Sequence, residues 1–478
     1  MRDSRISVSL LVCVILLIGY ALQDGDGSFT RNALFALSTA LGLLGLAVHI
    51  SKRTRILSIH RLTLLLSIAL GLQCLLMMFK HPVPFMKAEN YVLFFQCMVG
   101  VSLSLFLFLA PWKWSHKGVF YGLLTLYVVM GSFLLHGYPD PTIDVFVLHQ
   151  ESLQALSQGI NPHSITITNK WPQYSYYPKE LIVDGQLMFG FPYPTMHLFF
   201  SWPSYALTGD YRYALLIALA LSGWMMYLIR PDKIGMLIGL LYVYTPKGFW
   251  IAEHGWNEAF IVLIFAGVIY TARHRPNWTP YILGLFLASK QYLFVIAPLV
   301  FLLLPQPLSL RKTVSFAVKV ALTGLLVTVP FILWDVHAYS HSVLSTKTVI
   351  PIIRKDALSI SAWLLALGQS PLPTWFPYLA LLGTMAWTLW RIPRTPTGFA
   401  MGVGLAYMTL FLFNYHAFCN HFHLILGTLC CGIVGAQLTE EALEGTMEKE
   451  QNLQPASEVA SPASEEDSSA SAALSEPS

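Results

Sequence analysis

Residues 140–162, DPTIDVFVLHQESLQALSQGINP, place two aspartates, Asp140 and Asp144, directly after a long apolar run. A carboxylate at such a point has two uses. It can cap a helix, worth about 1 kcal/mol, or it can act as a general base that takes a proton from a hydroxyl. The two are compatible, because a capping carboxylate is rigidly held. Periodicity predicts a helix over 144–158, with Val145, Leu148, Leu153, Ala155 and Leu156 on one arc and Phe146 at its edge. Gln150, Glu151 and Gln154 fall opposite, Gly159 suits the C′ position, and Asn161-Pro162 blocks continuation. Such a helix lies in a membrane interface rather than crossing it. Asp140, flanked by Pro139 and Pro141, reads as a turn residue.

Three further patches carry reactive or binding groups. EHGWNEA (253–259) gathers Glu253, His254, Asn257 and Glu258 beside Trp250 and Trp256. The tryptophans serve equally as interfacial anchors, but Glu258 opening an apolar helix is costly unless it faces a wet cavity. SKQY (289–292) sets Lys290, Gln291 and Tyr292 between apolar runs, where an ammonium either snorkels to the interface or contacts phosphate. Arg212, Lys247, Arg354 and Lys355 are further candidate cations, the last two also readable as a solvated charged loop. NYHAFCNHFH (414–423) puts His416, Cys419, Asn420, His421 and His423 at helical spacing, so that His416 and Cys419, or Cys419 and His423, can share a face. No carboxylate accompanies them, and an interfacial belt explains them as well, so no metal is assigned.

The elements that must position these groups are membrane helices. Hydrophobic residues make up 55% of the chain and charged residues 11%, where a soluble domain carries about a quarter charged. Apolar segments of roughly 20 residues recur, each able to cross a hydrocarbon core of about 30 Å. The reading is all-α and polytopic, with about 12–14 transmembrane helices over residues 1–438 and a large external loop at 137–211. The first run, Ile6 to Leu22, reads as an uncleaved helix. The stretches 195–207 and 357–368 are too short to cross and read as interfacial or re-entrant. From 439 to 478 the composition turns Ser/Ala/Glu/Pro-rich with ten acids against one base, which predicts a disordered cytoplasmic tail. Five of the six cysteines lie inside apolar runs, without zinc or disulfide-framework spacing.

Loop charge sets the sidedness. With a cytoplasmic N-terminus, the loops at 51–61, 112–117, 230–233, 272–278, 309–312 and 390–394 are all basic and all cytoplasmic. The polar patches described above then fall together on the opposite face. A lipid-linked glycan transporter would instead need charges near mid-membrane, and Lys319 is the main one the sequence offers there. The sequence holds no P-loop, no GxSxG and no HExxH, and no basic arm with interleaved aromatics that would take nucleic acid.

The first external loop, beginning at an aspartate, running through GINP and ending in FGFPYPTMHLFF (189–200), resembles that of the GT-C superfamily of membrane glycosyltransferases. The nearest likeness is to bacterial family 87 mannosyltransferase-like members. LASKQYLFVIAPLVFLLLP looks like that family's lysine-glutamine segment, and AFCNHFH like its phenylalanine/asparagine/aromatic segment. The resemblance implies a polyprenyl-phosphate-linked sugar donor, a mannose-like hexose, and a lipid or glycan acceptor. It places the site on the periplasmic side of a cytoplasmic membrane. It carries the base to Asp144, phosphate contact to Lys290, and substrate contact to Asn420 and His421. One-step displacement at an anomeric carbon needs one carboxylate and a double displacement needs two, so a single prominent acid suggests inversion. A flippase or transporter for lipid-linked glycans, or a glycan polymerase, is the alternative.

Overall fold

The computed structural model describes residues 8–24, 28–50, 59–79, 88–109, 116–170, 172, 177–345 and 354–436. The acidic tail, the basic stretch 51–58 and most of 112–117 lie outside the described residues. The chain opens with α1 (Val8–Gln23), α2 (Arg31–Ile50), α3 (Ile59–Phe79), α4 (Ala88–Leu109) and α5 (His116–Gly137). Next come α6 (Asp144–Ser157) and a small antiparallel sheet of β1 (Ile167–Thr168), β2 (Ile182–Val183) and β3 (Gln186–Leu187), in the order β1-β3-β2. Ile167 and Ile182 both stand opposite Leu187. The remaining helices are α7 (Met196–Thr208), α8 (Arg212–Ile229), α9 (Lys233–Val243), α10 (Gly248–Glu253), α11 (Glu258–His274) and α12 (Thr279–Leu287), followed by a 3₁₀ segment at Gln291–Leu303. Then follow α13 (Leu310–Trp334), α14 (Val336–Ser340), α15 (Ile360–Ala366), α16 (Phe376–Arg391), α17 (Pro396–Phe413) and α18 (Cys419–Gly435).

Among the described residues seven helices, α2, α3, α4, α5, α8, α13 and α17, are long and apolar enough to cross a membrane. This makes the chain a multi-pass helical protein, with fewer full-length spans than the hydropathy tracing suggested. Some apolar runs are cut into pieces by turns, and others, such as α1 and α18, form unbroken helices of 16 and 17 residues, short of a full span. Residues 234–252, an apolar run in sequence, form two helices in space, broken at Thr245-Pro246, before the polar segment that leads into α11. The two segments expected not to cross form α7, thirteen residues long with Pro203 inside, and α15, seven residues long.

Exposure separates lipid-facing from core helices. Leu310, Val314, Val318, Leu322, Leu326 and Leu333 stand exposed along α13. A continuous apolar face on a helix of about 37 Å belongs in hydrocarbon, since water tolerates such patches poorly. By contrast α17 and α18 are buried almost throughout. The helices α8 and α9 meet backbone to backbone: a Cβ on Gly239 would lie 2.4 Å from the Gly223 carbonyl oxygen, so only glycine fits. Lys319 of α13 folds its ammonium over the Tyr281 ring of α12 at 5.6 Å, which gives the charge a partner within the protein.

The two ends of the bundle differ in charge. At one, Arg273 and Arg230 donate to the Gly435 and Ala436 carbonyls (2.9 and 3.3 Å), satisfying the C-terminus of α18. Lys233 and Arg394 lie over the Phe108 and Phe301 rings nearby in the same set of loops. The other ends of α5, α8, α11, α13 and α18 adjoin the segments 138–212, 253–258, 289–292, 334–345 and 414–423. These segments bind one another: Gln291 Nε2 donates to the carbonyls of Pro192 and Val343 (2.8 and 3.3 Å), and the Leu358 amide donates to the Ala417 carbonyl (2.8 Å).

The long loop is clasped by α13 and the chain after it. Ser342 Oγ donates to the His163 carbonyl (2.8 Å) and accepts from the Gly190 amide (3.0 Å), and Thr195 Oγ1 donates to the Val327 carbonyl (2.7 Å). His163 is buried among the rings of Phe191, Phe331 and Tyr339, with Nδ1 2.8 Å from the Phe191 carbonyl oxygen. Burial lowers His163 to about 4, the carbonyl contact offsetting part of the effect. Between about pH 6.5 and 4 the unfolded loop therefore binds a proton that the folded loop refuses, and stability falls as the pH drops through that window. The loss of order 3 kcal/mol is expected as proteolytic cleavage within 160–195 at pH 5 but not at pH 7.5. In His163→Asn this pH difference should vanish, and a variant with the wild-type pH response would contradict the assignment.

Candidate active site

Asp144 is the first residue of α6, and it does not cap the helix. The N-cap is Ile143, in extended conformation and without a side-chain bond. The carboxylate instead accepts from the Val145 amide (Oδ1, 2.8 Å) and from Tyr177 Oη (Oδ2, 2.6 Å), so a tyrosine from the loop fixes its orientation. The buried face of α6 consists of Phe146, Val147, Leu148, His149, Ser152, Leu153 and Ala155, rotated from the predicted arc, and Val145 is half-buried. The rotation follows from His149, which stacks on Tyr211 at 4.1 Å and meets Phe191 edge-on at 5.1 Å. The polar face docks the sheet, Glu151 Oε2 accepting from the Thr168 amide (3.0 Å). A narrow, partly open crevice with room for about one water molecule lies between α6 and β1–β3, with Asp144 and Tyr177 in its wall. Asp140 is exposed and paired with Lys170 (3.0 Å), as suits a turn residue.

Arg212 is fully buried, and its donors are spent on the protein. Nε and Nη2 bind the Asp210 carboxylate (2.9 and 2.7 Å), Nη1 the carbonyls of Tyr138 and Glu253 (2.9 and 3.2 Å), and Nη2 also the Pro139 carbonyl (3.4 Å). The guanidinium lies 4.7 Å from the Phe146 ring centroid. This geometry gives Arg212 an architectural role in place of the substrate contact expected from sequence.

Glu258, Lys290 and Tyr292 form one unit. The Lys290 ammonium donates to Glu258 Oε1, Tyr292 Oη donates to the same oxygen at 3.1 Å, and Nζ sits 5.4 Å from the ring centroids of both Tyr193 and Tyr292. Glu258 is fully buried and Lys290 9% exposed. The second oxygen, Oε2, accepts no well-formed hydrogen bond, although Asn420 and His421 stand beside it. His197 of α7 adjoins the same pair and is buried, with the Ser289 backbone beside its ring. Gln291, by contrast, is committed to the two carbonyls named above and locks the segment in place.

Around the break before α11, His254 stacks on Trp250 at 4.3 Å while the Lys247 ammonium lies 4.3 Å from the same indole. That indole is therefore occupied by protein groups. Lys247 itself sits in a left-handed backbone conformation (φ 67°). His254 Nδ1 is 3.3 Å from the Glu253 carboxylate, and Asn257 is buried with neither amide atom hydrogen-bonded.

In the last patch α18 begins at Cys419, so His416 precedes the helix and shares no helical face with Cys419. His421 Nδ1 accepts from the Phe418 amide (3.1 Å) and the ring packs on Phe411 at 4.2 Å, while His423 packs on Tyr242 at 5.1 Å. Among the described residues no group of three or more His, Cys, Asp or Glu is placed to hold a metal. Arg354 is paired with Asp356 (2.7 Å) at the surface, and Lys355 is exposed.

Tyr193 joins the two halves of this region. Burial raises its hydroxyl above the ordinary phenol range, and the charges of Asp144 and Glu258 both add to the rise, so both carboxylates lie within electrostatic reach of it. The structure thus brings together Glu258, Lys290, Tyr292, Asn420 and His421, while Asp144, held by Tyr177, reaches this group only through its charge on Tyr193. Arg212, Gln291, Arg354 and the Trp250–His254 stack are held in structural contacts. Sequence reasoning did not single out Tyr177, Tyr193 or His197. The only available signal was for Tyr193, whose position between Pro192 and Pro194 restricts its backbone. No family model, curated protein or solved structure matches the chain.

A buried ion pair loses most when one partner alone is removed. Glu258→Leu and Lys290→Met are each expected to destabilise the protein by about 3–5 kcal/mol, and the double variant by clearly less than the two combined. Thermal unfolding in detergent would measure this cycle, and additive losses would mean that the two side chains are not coupled.

Proposed function

We propose that the chain is a polytopic membrane glycosyltransferase of GT-C type. It moves a hexose from a polyprenyl-phosphate donor to a lipid or glycan acceptor. The observation that carries the reading is the Glu258–Lys290 pair beside Tyr193, with the Asp144 carboxylate within electrostatic reach of that tyrosine, from three segments far apart in sequence. Asp144 is the base: as the acceptor oxygen bonds to the anomeric carbon, its proton passes to the carboxylate. The bond from that carbon to the phosphate oxygen breaks, the electron pair leaves with the phosphate, and the carbon inverts. Lys290 supplies positive charge to the leaving phosphate. Glu258 holds the ammonium in place, and its unbonded Oε2, beside Asn420 and His421, is suited to a sugar hydroxyl. If the basic end of the bundle is cytoplasmic, as loop charge favours, the site opens on the extracytoplasmic face.

One observation favours the transport alternative. The bundle buries Arg212, Lys247, Glu253, Glu258 and Lys290 to 9% exposure or less, more charge than the sequence reading placed inside, and intramembrane charges often mark translocation paths. Arg212 is held by its carbonyl and carboxylate partners, and Glu258 and Lys290 hold each other. Asp144→Asn separates the two readings. Removing a general base is expected to lower kcat by about 10²–10⁴-fold, measured as transfer from a radiolabelled polyprenyl-phosphate hexose by protein that folds normally and still binds donor. Full-rate transfer would sink the transferase mechanism. Lipid scrambling in liposomes that survives the substitution, with no transfer product, would establish the transporter.

A further inference from the structure

Both oxygens of Asp144 are engaged by protein donors. Oδ1 accepts from the Val145 amide, and Oδ2 accepts from Tyr177 Oη at 2.6 Å. The second donor is a hydroxyl, the same kind of group whose proton a general base takes. Tyr177 is half-buried, with its ring 5.6 Å from that of Phe189, so part of the ring faces solvent and the side chain can swing outward. The small sheet does not depend on this hydroxyl. Glu151 holds the Thr168 amide, Lys170 holds Asp140, and Ile167 and Leu187 are buried. Beside Asp144 and Tyr177, the crevice between α6 and the sheet has room for about one water molecule. Water can therefore approach this carboxylate with the loop as it stands, and a sugar cannot.

A water molecule at the base competes with the acceptor. Its oxygen bonds to the anomeric carbon, its proton passes to Asp144, and the bond from that carbon to the phosphate oxygen breaks with the electron pair on the phosphate. The donor is then lost as free hexose, the side reaction that a closed site prevents. Resting on the transferase reading, we infer that Tyr177 is a guard that withholds Asp144 from water and yields it to the acceptor. It thereby sets the choice between transfer and hydrolysis. A hydrogen bond to a charged group is stronger than one between neutral groups, and a lone water gains little by exchanging one hydroxyl on Oδ2 for another. The acceptor is larger, and contacts made by the rest of that molecule drive the side chain aside. Tyr177 acts through Asp144, which remains the base.

Tyr177→Phe keeps the ring against Phe189 and removes only the hydroxyl. With labelled polyprenyl-phosphate mannose as donor and octyl α-mannoside as acceptor, the ratio of released mannose to transfer product is expected to rise about tenfold in the variant, the effect of one hydrogen bond to a charged group. A hydroxyl that only orients Asp144 would change both reactions alike, so an unchanged ratio overturns the inference. A second readout needs no turnover. Carboxyl groups are modified with a water-soluble carbodiimide and glycine ethyl ester and followed by peptide mass spectrometry, with the exposed Asp140 as internal reference. Asp144 should react faster in Tyr177→Phe than in wild type, relative to Asp140, and equal relative rates overturn the guard. If the wild type consumes no donor, the transferase reading fails, and the carbodiimide rates still decide whether Tyr177 covers Asp144.

Discussion

A single buried guanidinium sets the geometry on which the candidate site depends. Arg212 opens α8 and sends its donors to three places: the Asp210 carboxylate, the Tyr138 and Pro139 carbonyls at the start of the long loop, and the Glu253 carbonyl at the end of α10. Asp144 follows shortly after the first pair of carbonyls, and Glu258 shortly after the last. A planar cation with five donors can hold several carbonyls and a carboxylate at fixed angles, which an ammonium cannot. Tyr211 adds to the clamp, donating to the Gly255 carbonyl (3.0 Å) and stacking under His149. The approach of α6 to the N-terminus of α11 is therefore set by backbone carbonyls that would otherwise be unsatisfied inside the bundle.

Broken helices do the rest. In hydrocarbon every backbone group must be paired, so irregular chain survives only where it is buried in protein or lines a cavity. The turns at 244–247, 254–257 and 288–290 are of this kind, and they bring Lys247, Glu253, Glu258 and Lys290 into the bundle. A continuous helix through the same apolar residues would have carried these charges past the core. The clasp of Ser342 on His163 and Gly190, and of Gln291 on Pro192 and Val343, then holds the loop bearing Tyr177 and Tyr193 over the breaks.

Parts of this arrangement are legible in the residues. The helix after Asp144 ends at Ser157, with Gly159 at φ 72°, as the glycine and the Asn-Pro pair indicate. The two short apolar stretches form short helices, and the polar patches gather at one end while Arg230 and Arg273 finish helices at the other. Other parts are not legible. The face of α6 was placed by hydrophobicity alone, and His149 overrides it because two aromatic rings, from residues 191 and 211, wait for its imidazole. Arg212 reads as a free cation until the carbonyls of residues 138, 139 and 253 are seen around it.

The sequence by itself determined that this is a multi-pass helical membrane protein with basic loops sorted from polar ones. Hydropathy and loop charge are sums over neighbouring residues and need no knowledge of the fold. Only the tertiary structure decided which charges are partnered. It tied Lys290 to Glu258, 32 positions away, gave Asp144 to Tyr177, 33 positions away, and put Tyr193 within reach of both acids. The partner of a buried charge is chosen by the low-dielectric space around it, where an unpaired group is costly, and that space exists only once the helices have packed.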